Sequence, residues 1–336
     1  MRSLLLVFLL AAAPLAQSTQ PPGLGSGQLA NREFTVTTHA GTGIARYFGN
    51  GSLDGSPDAT RAIVIVHGVL RNADTYFATG QALLARAHAT HTLLIAPQFV
   101  EQSDLDGHNV AAATLRWDDD WPGGSNAVAP VPISTYSVFD AMLKRLADKT
   151  RFPKMREVVI EGHSAGGQIV QRYAVVGDGP DRIAGSGVSV HFIVANPSSY
   201  LYFDDWRPYP HANCPTFNQW RYGLHGVPPY VHGTAAQLED RYFSRRVTYL
   251  LGTADTDPNE WDLDRTCAGE AQGPFRFARG KAYIAYIKHL APQGIAQEYA
   301  LVAGVPHDNR RMFASACGIA VVFGRSRASC GASGKV

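Results

Sequence analysis

Val158-Val159-Ile160-Glu161-Gly162-His163-Ser164-Ala165-Gly166-Gly167 (residues 158–167) is the stretch that decides the fold. A β-branched run ends on Gly-x-Ser-x-Gly, and helix-compatible residues follow at once. A serine held on a sharp strand-to-helix turn has a strained backbone, and side chains two residues to either side would collide. Glycine at 162 and 166 removes that collision. The turn lifts the Ser164 hydroxyl above the sheet and brings the N–H groups of a helix start beside it, where they can stabilise an oxyanion. The alternative is a plain glycine-rich turn. Five letters are weak evidence alone; the buried strand before them and the helix after them give the pattern its weight.

Working outward, strands and helices alternate without internal repeats. Residues 33–38 and 44–48 read as an edge hairpin. Residues 62–66, 92–96, 157–161, 188–194, 247–251 and 298–302 read as strands, several of them continuous apolar runs of the kind buried on both faces of a parallel sheet. Helical spacing covers 75–88, 138–147, 167–175, 282–290 and 310–323. This alternation predicts an α/β protein with a doubly wound, mostly parallel sheet in one domain spanning 32–336. The composition agrees: 336 residues, 45% hydrophobic, 17% charged, net charge +2. That is too apolar for a disordered chain and too evenly charged to argue for nucleic acid.

With its elbow and strand order, the chain resembles the α/β-hydrolase superfamily, specifically its secreted serine esterases and lipases, over about residues 44–323. In that superfamily a strand ending in His-Gly precedes the loop that donates one oxyanion N–H. Val64-Ile65-Val66-His67-Gly68-Val69-Leu70 occupies that place. The resemblance implies backbone donors at Val69 and Ala165, with His67 a scaffold residue and not a base. The His-Gly-Gly-Gly loop of the hormone-sensitive-lipase branch is absent. The superfamily order of nucleophile, acid and histidine then points to Ser164, Asp255 and His307. Asp255 follows the strand at 247–251 with Gly-x-x-Asp spacing, and Asp257 is the alternative acid. His307 lies just past the last strand, before the closing helix. Such a triad cleaves a carboxylic ester through an acyl-enzyme, needing neither metal nor organic cofactor. A peptidase or amidase on the same fold, and a non-catalytic binding module, are the rival readings. The intact set of three residues speaks against the last.

The residues between 196 and 245 form an insertion where this superfamily carries caps. Its aromatics, including Tyr200, Tyr202, Phe203, Trp206, Tyr209 and Tyr222, suit either a wall for an apolar or aromatic ester or a small core of their own. Trp117 and Trp121, on a loop leaving the carboxyl end of a parallel strand, are further candidates for substrate contact. Asp118-Asp119-Asp120 lacks the Gly and Glu spacing of a calcium loop, so no metal is assigned.

Residues 1–18 read as a signal peptide: Arg2, then an apolar run over 4–13, with cleavage after Ala16 or Ser18. The run is about half the twenty residues a membrane span needs. Residues 19–31 read as a flexible leader. Four cysteines, none with Cys-x-x-Cys spacing, suit disulfides in an oxidising compartment. Pairing neighbours gives Cys214–Cys267 and Cys317–Cys330. The expected location is secreted or periplasmic.

Overall fold

The computed structural model describes residues 27–336, so the signal reading and most of the leader lie outside the described residues. The end of the expected leader is not loose. Ala30 is fully buried and its N–H reaches Gln98 Oε1 at 2.8 Å, while the Gln28 N–H reaches Asp74.

Nine strands form one sheet: β1 (Arg32–Thr38), β2 (Gly41–Gly49), β3 (Arg61–Val66), β4 (Thr92–Gln98), β5 (Glu157–His163), β6 (Ser189–Ala195), β7 (Arg246–Gly252), β8 (Glu298–Val302) and β9 (Ala332–Lys335). Their order is β1-β2-β4-β3-β5-β6-β7-β8-β9. The six central strands run parallel, and the hairpin β1–β2 and the final β9 run antiparallel. The chain steps from β3 to β4 on one side and returns to β5 on the other. That reversal leaves the carboxyl ends of β3 and β5 side by side, with Val66 opposite Gly162. Open α/β sheets bind ligands at such a reversal.

The central strands are buried on both faces because helices cover both. On one face Val64, Val66, Val158 and Ile160 pack under the helices α2 (Thr135–Leu146) and α3 (Ala165–Val176). On the other, Ile63, Ile65, Val159 and Ile193 pack under α1 (Ala73–Ala87) and the C-terminal helices. Between β6 and β7 a long irregular segment leads to α4 (Ala235–Ser244). Beyond β7 come the single turn Cys267–Glu270 and α5 (Arg276–Leu290). Among the described residues no helix is long and apolar enough to cross a membrane.

Two elements differ from the sequence reading. The single helix expected over 310–323 is two, α6 (Asn309–Phe313) and α7 (Ala316–Val322). Ser315 caps α7, its hydroxyl accepting from the Gly318 N–H at 2.9 Å, and a capping serine there ends one helix and starts the next. The chain beyond 323, to which the sequence reading assigned no element, adds β9 as an edge strand to β8. Disulfides join Cys214 to Cys267 and Cys317 to Cys330. The first ties the irregular segment to the loop after β7, and the second ties α7 to the chain entering β9.

Candidate active site

Ser164 sits between β5 and α3 with φ +59° and ψ −125°, a conformation that costs a non-glycine residue energy and persists only when its surroundings impose it. The glycines show how. A Cβ on Gly162 would lie 2.2 Å from the Gly166 carbonyl oxygen, and one on Gly166 would lie 2.3 Å from that of Val66. Both obstacles are backbone and cannot swing aside. Gly68 is less confined: a Cβ there would lie 2.9 Å from the Tyr76 hydroxyl and in ordinary contact, 3.7 Å, with Ser164 Cβ. The loop carrying Val69 therefore lies against Ser164. Among the described residues, neither the Val69 nor the Ala165 N–H has a hydrogen-bond acceptor.

His67 anchors this loop from below. Its Nδ1 hydrogen-bonds to the Gly68 carbonyl at 2.8 Å, and its Nε2 accepts from the Phe99 N–H at 3.0 Å. The ring is fully buried, and desolvation lowers its pKa to about 4. It is a neutral strut, as the resemblance implied.

The loops after β7 and β8 are laced together. The Thr253 N–H donates to the Val302 carbonyl and the Ala254 N–H to that of Val305, while the Gly304 N–H donates to Thr253 Oγ1. This brings Asp255 to His307, whose Nδ1 lies 2.7 Å from Asp255 Oδ2. Asp257 is exposed and accepts from the Asn259 N–H, a turn-forming contact. Of the two acids left open by the sequence, Asp255 is the one beside the histidine.

Three residues at this site went unrecognised in the sequence. Arg276, at the start of α5, is fully buried and reaches Asp262 at 2.6 Å, Glu260 at 3.1 Å and Asp255 at 3.8 Å. Its Nε also donates to Ser198 Oγ at 3.1 Å. Held in this way, Asp262 places Oδ2 3.5 Å from Ser164 Oγ and 3.6 Å from His307 Nε2. Burial opposes the charge on Asp262, but His307 and Arg276 outweigh it and hold the carboxyl well below the usual carboxylate range. Burial and Arg276 likewise press His307 downward, and its bond to Asp255 with the nearby Asp262 carboxylate overcomes both, leaving its pKa raised. The available sequence signal was an arginine between two phenylalanines, Phe275-Arg276-Phe277, just past a run dense in carboxylates.

His163 directly precedes Ser164. Its ring lies on that of His307, centroids 4.2 Å apart, and burial drives its pKa well below 6.5. A neutral ring there packs the base without repelling its cation. His163, Asp255 and His307 offer ligand atoms within 4.8 Å of one another. A metal there would have to break the Asp255–His307 bond beside the Arg276 guanidinium, so the group suits proton chemistry better.

Three aromatic candidates are not placed as a binding wall. Trp117 and Trp121 are 2% and 1% exposed. The Trp117 Nε1–H donates to the Ile133 carbonyl, and Trp121 stacks on Phe99 and meets His67 edge-on. The loop folds its rings inward because two indoles bury more area than its polar residues can. Tyr200 is buried in a stack on Tyr283, 4.4 Å between centroids. Trp206 is 45% exposed, but its ring neighbours are Tyr202 and Tyr286. Most of these aromatics serve as core.

No family model matches the chain, and no curated protein matches it in sequence. Solved structures do. Poly(aspartic acid) hydrolase-1 from Sphingomonas sp. KT-1 is 24% identical, covering 85% of this chain and 96% of its own, with a TM-score of 0.58. LpqC, a poly(3-hydroxybutyrate) depolymerase from Bordetella parapertussis, is 22% identical, covering 88% and 90%, with a TM-score of 0.60. The chain has the α/β-hydrolase fold. Within the α/β-hydrolase frame, Ser164, Asp255 and His307 follow β5, β7 and β8 in turn, the order this fold uses for nucleophile, acid and base.

Proposed function

We propose that the protein is an exported serine hydrolase that cleaves carboxylic esters. The observation that carries this is the Asp255–His307 bond of 2.7 Å, on a histidine whose Nε2 lies 3.6 Å from the same Asp262 oxygen that the Ser164 hydroxyl, held in a strained elbow, approaches to 3.5 Å. His307 Nε2 takes the Ser164 proton, Oγ bonds to the ester carbonyl carbon, and the N–H groups of Val69 and Ala165 hold the oxyanion. The C–O bond to the alcohol breaks, and the alcohol leaves with the proton from His307. Water then repeats the sequence on the acyl-serine and releases the acid. Asp255 fixes the imidazole tautomer and stabilises its cation. The triad itself serves esters and amides alike; the ester is the easier bond, since an alkoxide is expelled more readily than an amide anion. The two disulfides fit an oxidising compartment.

The test is a panel of esters of varied acyl length with matched amides. Ser164→Ala is expected to lower ester turnover by about 10⁴-fold or more while circular dichroism shows an intact fold. Near-normal activity of that variant refutes the reading. Amide turnover above ester turnover in the wild type favours the peptidase alternative.

A further inference from the structure

We propose that Asp262 selects esters whose leaving alcohol carries a positive charge close to the ester oxygen. The inference rests on the serine-hydrolase reading and names a substrate class for it. Asp262 Oδ2 lies 3.5 Å from the attacking oxygen and 3.6 Å from the nitrogen that must hand a proton to the leaving alcohol. An alcohol departing past His307 Nε2 therefore passes this carboxylate. His307 is more than nine-tenths buried at its side chain, and its Nε2, aimed at the same space, makes no hydrogen bond of ordinary length. The carboxylate is anchored, not free to fold away: Arg276 grips Oδ1 at 2.6 Å, and Ser198 Oγ donates to the Asp262 carbonyl at 3.4 Å.

The local charge is lopsided. With His307 neutral, as a base must be, Arg276 is one positive charge facing three carboxylates, Asp255, Glu260 and Asp262. Arg276 is wholly buried and cannot reach a ligand, whereas Asp262 keeps 9% of its side chain accessible and lies 3.5 Å from Ser164 Oγ. The chain as a whole is slightly positive at +2, so this negative excess is a property of the site. An anionic leaving group would be desolvated against a site of net negative charge, and a cation would be attracted. A polyanion such as poly(aspartic acid) is a poor fit for the same reason.

Three butyrate esters test this at fixed ionic strength. They are 2-(trimethylammonio)ethyl butyrate, its uncharged isostere 3,3-dimethylbutyl butyrate, and 2-sulfoethyl butyrate. In the wild type kcat/KM is expected to rank cation over neutral over anion, with at least about tenfold between the first two. Asp262→Asn is expected to shrink that ratio below about threefold, and Asp262→Glu to retain most of it. A wild type that hydrolyses the cation and its isostere equally overturns the proposal without any variant. So does an Asp262→Asn enzyme that keeps the full preference. If Ser164→Ala abolishes turnover of the neutral ester while the wild type shows no charge preference, the serine reading stands and this one falls. A wild type inert to all three but active on other esters of the panel overturns this proposal alone, and one inert to every ester overturns both.

Discussion

The elbow and the acid loop hold their functional side chains by opposite means. Around Ser164 the constraint is backbone against backbone: Gly162, Gly166 and Gly68 are small because carbonyl groups and the Tyr76 hydroxyl fill the space a side chain would need. Around Asp255 and Asp262 the constraint is charge, a buried guanidinium shared among three carboxylates. The first device sets two distant segments, 66–76 and 162–166, backbone against backbone, and at Gly162 and Gly166 leaves no room for a side chain. The second lies within residues 255–276 and is tunable, since a change in one carboxylate alters the field on the others.

The sharpest way to break the contrast is at the acid itself. Asp255→Asn is expected to lower kcat by about 10⁴-fold, because the amide favours the wrong imidazole tautomer. Asp257→Asn is expected to stay within about threefold, as its role is a turn. Steady-state kinetics on one ester decides, and a reversed ranking would move the acid to Asp257. At the elbow, Gly166→Val is expected to cost more than about 4 kcal/mol, since the new Cβ meets two backbone carbonyl oxygens, at 2.3 and 2.6 Å. Gly185→Ala, with nothing within 4 Å of the added carbon, is expected to change stability by under about 1 kcal/mol. Urea denaturation of both variants measures the difference.

Glu161 sharpens the comparison because it is a carboxylate on the backbone-built side. It lies on β5 between Ile65 and Ile193, fully buried, with no hydrogen-bond partner for either oxygen. Desolvation raises its pKa to about 8. The folded state thus holds the proton more tightly than the unfolded chain, so stability falls as pH rises from about 4.5 to about 8. The loss is on the order of 4 kcal/mol. Glu161→Gln is expected to flatten this slope, read as melting temperature against pH. Asp262 has the opposite sign: its carboxyl is held low, so its contribution is present above the ordinary carboxylate range and is lost as pH falls. The smallest expected effect on activity comes from the second disulfide. Replacing Cys317 and Cys330 by Ser should cost about 3 kcal/mol of stability at most and leave kcat within about twofold. A large loss of turnover would show that α7 positions His307.

The same division explains what could be read from residues alone. The elbow, the parallel strands and the positions of Asp255 and His307 were legible because each is written in contiguous residues: β-branched runs, glycine spacing, a histidine after the last strand. Arg276 was not, because its significance depends on Asp262 and Glu260 folding back across a loop, and no periodicity marks that. Trp117 and Trp121 were visible as aromatics but turned inward, since the direction of a loop side chain is set by what it packs against. The helix break at Ser315 had a local signal, a capping serine inside an apolar run, that helical spacing concealed.

The outer margin of the sheet bears on how the protein behaves when concentrated. β8, with the apolar residues Tyr299, Ala300 and Leu301, would otherwise present its free N–H and C=O groups to any passing strand. The four residues of β9 cover them, and β9 is itself short, rich in small residues, and ends on Lys335, which pairs with Glu298 across the strand. Arg327 grips the same glutamate, and Cys330 fixes the approach. Self-association by strand pairing is thereby discouraged at this margin, and reduction of the Cys317–Cys330 bond would be the event that exposes it to aggregation.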